Sequence, residues 1–338
     1  MASLEKTVKL ILAGENRLGG MLFDAGHQVE GFANLAGNIS EPFADLATDL
    51  AKLDAALIAM AGGGLALAVK ESGAFSGAFS EITTLFESAP DNIETFRNDI
   101  LAYASDSRKS IDDINSSVYA AISAGTAYGD SLGLVSQAEK TAIAGKAGLS
   151  DATVLLASSL NAYGEEAGKA ADYSDALFVA VRDGQTTLPE LSHSLAQVTG
   201  LASQTGVSFD DLLAAVATLT ASGLPTSQAV TSIRGALTNI LKPSKDASDT
   251  AKELGIEFNA TALASQGLGG FMETLRTKTG GNVDTMSKLF GSVEGLNGAL
   301  VLTGTGAQKF GSVLEDMQNK AGETEKAYSK MANELDQT

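Results

Sequence analysis

Residues 208–225 read SFDDLLAAVATLTASGLP, and this stretch contains the signals that begin, orient and end an α-helix. Ser208 and Asp211 form an acidic variant of the capping box, in which a side-chain oxygen accepts a hydrogen bond from a free backbone N–H group. Apolar side chains then recur at helical spacing, at Leu212, Leu213, Val216 and Leu219. Gly223 and Pro225 end the helix. The stretch predicts one short, capped helix with one buried face.

The same start and stop signals recur through the middle of the chain. Capping-box patterns occur at 136–139 and at 187–190. Further apolar segments end at Gly164, Gly184 and Pro243. Sustained alternation of apolar and polar residues is lacking, although 255–260 could form a short extended piece. We therefore predict an elongated all-α fold, in which about eight to ten short capped helices are flanked by N- and C-terminal heptad helices that form coiled coils.

Composition excludes several classes of function. The 338 residues include no Cys and only two histidines, so disulfides, thiolate metal sites and a cysteine nucleophile are excluded. Lys and Arg number 23 against 41 Asp and Glu, which gives a net charge of −18. A surface of that sign repels phosphate backbones, so we expect no direct nucleic-acid binding. The 44% apolar content nevertheless indicates a folded chain.

A heptad pattern runs through residues 1–60. Apolar residues recur there every three or four positions, and this average spacing of about 3.5 winds helices around one another. The predicted seam residues are Leu4, Val8, Ile11, Leu18, Leu22, Val29, Phe32, Ile39, Phe43, Leu46, Leu50, Leu53 and Leu57. We predict that parallel copies associate through this seam. The alternative is an amphipathic helix that packs within its own chain.

An apolar, Gly-rich stretch lies between the heptads and the middle region. The run AALIAMAGGGLALAV occupies residues 55–69, which is shorter than the about 20 residues that a membrane-spanning helix needs. We therefore interpret it as a buried helix–turn–helix, with 61–74 as the turn segment. The alternative is a segment that contacts a membrane only after a conformational change.

The heptad spacing returns over residues 312–338. Its seam residues are Leu314, Met317, Tyr328, Met331 and Leu335. Neither proline nor a capping glycine follows the last heptad. We therefore predict that this segment is the start of a C-terminal coiled-coil helix in a truncated chain.

Catalytic patterns are absent from the sequence. It has no G-x-S-x-G or H-E-x-x-H motif and no complete P-loop. We interpret Asn161 and Tyr163 as packing and capping groups, the pair Glu165 and Glu166 as a helix N-terminus, and His193 as an ordinary helical residue. The sequence thus predicts no catalytic residue, no cofactor and no metal site, and we expect the protein not to be an enzyme.

An ordered series of short motifs resembles the core region of phage tail tape measure proteins. The motifs are SVYAAISAG at 117–125, AIAG at 142–145, LNAYG at 160–164, GVS at 206–208, LTASG at 219–223, RGAL at 234–237 and LGI at 254–256. Their order and spacing carry the resemblance, which covers about Phe75 to Gly311. We accordingly assign 75–311 to a tape-measure-like helical core.

The resemblance implies a structural role. A protein of this family lies in the lumen of the tail tube and at the tip of the virion, sets tail length by its own length, and leaves during genome ejection. The implied partners are further copies of itself, as a homotrimer, tail tube proteins, tip or baseplate proteins and, during ejection, a host membrane. The chain would be made in the cytoplasm of the bacterial host.

Two other functions stay open at this point. One is a membrane-active helical protein whose apolar hairpin at 55–69 inserts or forms a pore. The other is a tail-associated cell-wall hydrolase, against which the scarcity of histidine and the lack of cysteine argue.

Overall fold

The computed structural model describes residues 75–86 and 92–336, with side chains through Ala332. The chain divides into two compact units, Met1–Ser76 and Gly77–Thr338, and everything below concerns the second. The N-terminal seam from Leu4 to Leu57 and the apolar run at 55–69 lie outside the described residues. Their predicted roles therefore stay predictions.

The described residues are helical throughout, and the all-α class is confirmed. Residues 75–83 are helical and precede fifteen α-helices and one 3-10 helix, with no strand in the described part of the chain. The α-helices are α1 (Ile93–Asp106), α2 (Ile111–Ser123), α3 (Tyr128–Ala144), α4 (Leu149–Tyr163), α5 (Ala170–Asp183), α6 (Leu188–Ser194), α7 (Ala196–Gln204), α8 (Phe209–Ala221), α9 (Thr226–Leu241), α10 (Lys245–Leu254), α11 (Ala260–Thr279), α12 (Val283–Leu289), α13 (Val293–Thr303), α14 (Ala307–Gln318) and α15 (Glu323–Asp336). The expected eight to ten helices are too few, because turns split several predicted helices.

Helix α8, which the opening motif forms, lies at the centre of the fold. Every side chain from Leu212 to Thr220 is buried, so the helix is enclosed on all sides rather than on the single predicted face. No charged residue follows Asp211 in this helix, and its alanines let neighbouring helices approach closely. Helices α5, α7, α9, α11, α13 and α14 pack around it.

Local capping signals set several helix boundaries. Ser208 accepts a hydrogen bond from the N–H group of Asp211, and Thr187 forms the complete capping box with Glu190. The predicted start at Ser136 is wrong, because that residue lies inside α3. Residues 255–260 likewise form no strand: Gly255 ends α10 and Asn259 caps α11.

The C-terminal heptad segment is not one helix. It breaks at residues 319–322 into α14, which packs against α5 and α8, and α15, which packs against α3 and α5. Met317 is buried in the intramolecular core, so its place on a seam between copies is wrong. Leu314, Tyr328 and Met331 are half-buried on the same chain. The side chain of Leu335 lies outside the described residues.

Candidate functional site

A group of charged side chains holds the break between α14 and α15. We call Asp172, Asp175, Asp210 and Lys320 the C-terminal clasp. Helix α5 carries the first two residues, α8 carries Asp210, and Lys320 lies in the break itself. Neither the heptad pattern nor the capping motifs predicted this site.

Asp175 caps the last helix from a distance in sequence. Its Oδ2 atom accepts a hydrogen bond from the N–H of Gly322 at 2.7 Å, and its Oδ1 atom accepts one from the N–H of Thr324 at 2.8 Å. The carboxylate is buried, and it faces N–H groups that have no partner within their own helix. A negative charge is also favourable at a helix N-terminus, so this contact fixes where α15 begins.

Lys320 lies between two carboxylates. Its Nζ atom is 2.6 Å from Asp210 Oδ2 and 3.0 Å from Asp172 Oδ1, and the residue is only 7% exposed. Burial alone would lower the pKa of Lys320, but the hydrogen bonds to Asp210 and Asp172 outweigh it and raise that pKa. Burial raises the pKa of Asp210, and repulsion by Asp172 and Asp211 adds to this effect against the attraction of Lys320. The group therefore carries excess negative charge.

Further polar contacts flank the clasp. Ser174 Oγ donates to Thr324 Oγ1 at 3.0 Å, and both side chains are buried. Arg182 Nη1 donates to Glu323 Oε2 at 2.8 Å, while Lys140 Nζ donates to Glu325 Oε2 at 2.6 Å. Helix α15 is therefore attached to α3 and α5 through side chains at several points of its first turn.

Asp211 makes a second contact of the same kind. Helix α11 leaves helical geometry at Gly267, and Asp211 Oδ2 accepts a hydrogen bond from the N–H of Leu268 at 2.7 Å, where the helix resumes. The first turn of α8 thus supplies one carboxylate to the kink in α11 and one to Lys320. Both contacts position backbone and neither presents a reactive group.

The residues singled out in the sequence are spread over several local contacts. Asn161 donates from Nδ2 to the carbonyl oxygen of Ala124, which is a packing role. His193 shares a hydrogen bond with the carbonyl oxygen of Pro189 within its own helix. Glu165 and Glu166 precede the 3-10 helix Ala167–Lys169.

Tyr163 belongs to an aromatic cluster. Its ring contacts Tyr173 and Phe209, with centroids 6.2 and 5.6 Å away, and its hydroxyl is buried without a hydrogen-bond partner. Burial raises the pKa of this hydroxyl above its ordinary value. No basic group lies near enough to activate it, so the arrangement is typical of packing rather than catalysis.

Metal and membrane sites were also sought. No cluster of three or more His, Cys, Asp or Glu residues that could hold a metal ion occurs in the part of the chain that the structure describes. At the clasp, the ammonium of Lys320 occupies the place between Asp172 and Asp210 where a cation would bind. Over that same part of the chain, no helix combines the length and the apolar character that crossing a bilayer requires.

A shallow groove lies between α9 and α13. These helices approach closely at Gly295, where an added Cβ atom would lie 2.8 Å from the carbonyl carbon of Gly235. Val293 stands at the groove with 80% of its surface exposed. The lining contains one charged side chain, Glu294, among neutral polar and apolar residues. Nothing in this lining resembles a catalytic constellation.

The chain is similar to known phage tail proteins. A family model described as "Phage-related minor tail protein" matches residues 97–291. The "Probable tape measure protein" of Clostridium phage phiCD119 is 26% identical over 293 residues, which cover 83% of this chain and 31% of that protein. The "Tape measure protein" of Pneumococcus phage Dp-1 is 28% identical over 190 residues, which cover 53% of this chain and 16% of that protein.

These matches confirm the resemblance that the motif series indicated. The chain spans less than a third of the length of either curated relative. No solved structure matches it significantly. The family match lies within the described helices, from α1 to the residues after α12.

Proposed function

The chain belongs to the family of phage-related minor tail proteins, and we propose that it forms part of a tape measure protein of a phage tail. The observation that carries this proposal is the collinear match to two proteins named as tape measures, one of which covers 83% of the chain. The proposed role is structural: the protein sets tail length during assembly and leaves the tube at genome ejection.

The helical fold suits this role. An α-helix has a fixed rise of about 1.5 Å per residue, so a helical chain converts residue number into length. The packed region from α1 to α15 is a compact unit, whereas the predicted heptads at 1–60 are the kind of element that could act as a ruler. The core would then act as a terminal body in or near the tail tip.

The proposed partners are other copies of the chain and the proteins of the tube and tip. If three copies associate through the predicted N-terminal seam, light scattering should give about three times 34.5 kDa. Leu22→Asp with Val29→Asp should then yield a monomer, because a charge at a seam position is buried without a partner. A monomer of the unmodified chain at micromolar concentration would refute the trimer but leave the tail role intact.

Cross-linking in assembled tails tests the proposed location. Exposed lysines such as Lys288 should link to the tail tube or tip proteins in intact particles, and these links should disappear after ejection is triggered. A membrane-impermeant amine reagent applied to intact tails provides the control, since lysines inside a tube should stay unmodified. Strong labelling of the chain in intact tails would place it on the outside and refute the proposal.

We propose no enzymatic activity for this part of the protein. The charged groups that its fold buries at the clasp hold backbone and one another. The clasp therefore serves a structural protein, whose polar interior determines where its helices begin and end.

A further inference from the structure

The break between α14 and α15 is not required by its local sequence. Residues 319–322 read NKAG, which includes two good helix formers and no proline. The apolar spacing of four and three also continues across the break, from Phe310 through Leu314, Met317, Ala321, Thr324, Tyr328 and Met331. The sequence is therefore compatible with one unbroken amphipathic helix over 307–336.

Tertiary contacts instead select the broken form. The carbonyl oxygen of Lys320 accepts a hydrogen bond from the N–H of Glu323 at 3.0 Å, and Gly322 has a φ of 79°. This geometry is a turn with a left-handed third residue, which glycine adopts without strain. Asp175 takes up the N–H groups of Gly322 and Thr324, and the two clasp carboxylates hold the ammonium of Lys320. All of these partners come from α5 and α8.

The two helices on either side of the break are attached differently. Helix α14 buries the large side chains Phe310, Val313 and Met317. Among the described side chains of α15, only Thr324 and Ala332 are buried, and both are small. Apolar burial therefore anchors α14 strongly, whereas α15 depends on polar contacts that water can replace.

From this asymmetry we propose that residues 319–322 are a hinge with two states. In the closed state the clasp holds the turn, and α15 lies against α3 and α5. In the open state the clasp releases Lys320 and the turn, the four residues become helical, and α15 continues the axis of α14. The apolar stripe then lies on one face of a single helix. This device does not depend on the proposed tail role.

Opening exchanges one set of satisfied polar groups for another. The N–H groups of Gly322 and Thr324 leave Asp175 and enter the i to i−4 bonds of the continuous helix. Lys320 and the clasp carboxylates return to water, which solvates separated charges well. The apolar core around Phe310 and Met317 stays intact because α14 does not move. Both states therefore satisfy the backbone, as a two-state hinge requires.

The lack of cysteine allows a direct distance measurement on the full chain. Nitroxide labels at Gln308→Cys and Lys330→Cys, both exposed, would lie about 33 Å apart on a straight helix, because 22 residues rise about 1.5 Å each. Pulsed electron paramagnetic resonance resolves that distance from the one in the closed form. A second pair, Gln308→Cys with Asp246→Cys on α10, reports whether α14 stays on the core.

Two neighbouring substitutions move the hinge in opposite directions. Gly322→Ala disfavours the left-handed turn and favours helix, so it should shift the population toward the 33 Å distance. Ala321→Pro occupies the second position of the turn, where proline is favoured, but it would break a continuous helix. The Ala321→Pro variant therefore defines the closed distance and should hold it even when Asp175→Ala removes the cap.

The expected result is a growing population near 33 Å in Asp175→Ala and Gly322→Ala, with the second label pair unchanged. Asp246→Ala, an exposed acid outside the clasp, is the matched control and should leave the closed distance in place. An identical single distance in the unmodified chain, Asp175→Ala and Gly322→Ala would overturn the proposal. A broad distribution in Asp175→Ala that Ala321→Pro fails to narrow would overturn it as well, because α15 would then detach without joining α14.

Discussion

The buried ammonium of Lys320 lies 2.6 Å from the carboxylate of Asp210, which is 110 residues earlier in the chain. This contact joins the central helix α8 to the point where the C-terminal heptads break. It determines the local fold against a sequence pattern that favours one continuous helix. The same pair also provides a sensitive test of how the core holds its last two helices.

Removing the ammonium should destabilise the protein. Lys320→Met leaves Asp210 partly buried without its partner, and the expected loss in the free energy of unfolding is about 2 kcal/mol. Urea unfolding measures this loss. Lys288→Met, at an exposed position on α12, is the matched control and should change stability by less than about 0.5 kcal/mol. Equal effects of the two substitutions would show that the clasp contributes nothing.

The loss in Lys320→Met should shrink as the pH falls. Burial raises the pKa of Asp210, and the substitution removes the attraction of Lys320 that opposes this rise. A carboxyl whose pKa is higher in the folded than in the unfolded state gains stability as the pH falls through its folded value. The stability gap between the unmodified chain and the variant should therefore narrow from pH 7 toward about pH 5.

A double variant isolates that effect. Lys320→Met with Asp210→Asn has no carboxyl at this position, so its gap to Lys320→Met should close as the pH falls. A gap between the unmodified chain and Lys320→Met that widens at lower pH contradicts this assignment.

Two buried tyrosine hydroxyls should respond oppositely to removal. Tyr163→Phe deletes a hydroxyl without a partner, so stability should stay constant or rise by up to about 1 kcal/mol. Tyr103→Phe deletes the hydroxyl that donates to the buried carboxylate of Glu139, and stability should fall by about 1–2 kcal/mol. Thermal unfolding of both variants gives the comparison, and a loss at Tyr163 as large as that at Tyr103 would indicate an unrecognised partner.

Close packing of α9 against α13 should make Gly295 intolerant of a side chain. A Cβ atom there would lie 2.8 Å from the backbone of Gly235, so Gly295→Ala should cost about 1–3 kcal/mol through overpacking. Gly311→Ala is the matched substitution in α14, where an added Cβ atom meets nothing within 4 Å. Helix propensity should make that variant more stable by up to about 1 kcal/mol. A stabilised Gly295→Ala variant would contradict the packing.

Local signals in the sequence predicted much of this fold. Ser208, Thr187 and Gly164 set helix boundaries where the motifs placed them, because capping depends on residues a few positions apart. Ser136 has the same local pattern but lies inside α3, where tertiary packing continues the helix through it. Propensity and capping are weak compared with burial, so identical motifs have different outcomes.

The clasp could not be predicted in the same way. Asp175 and Gly322 are 147 residues apart, and no periodicity connects them. Met317 shows the related error: its heptad position predicted a seam between copies, but the same apolar face packs into the core of its own chain. A helical pattern identifies which face is buried and not what buries it.

Tail length in assembled particles tests the central claim most directly. In-phase removal of residues 22–49, or their duplication, changes the predicted N-terminal heptads by 28 residues while the seam spacing is kept. Electron microscopy should show tails shorter or longer by about 42 Å, at about 1.5 Å per residue. Lys288→Met, which leaves the length of the chain unchanged, should give tails of unaltered length. Normal-length tails that contain either the shortened or the lengthened chain would contradict the account.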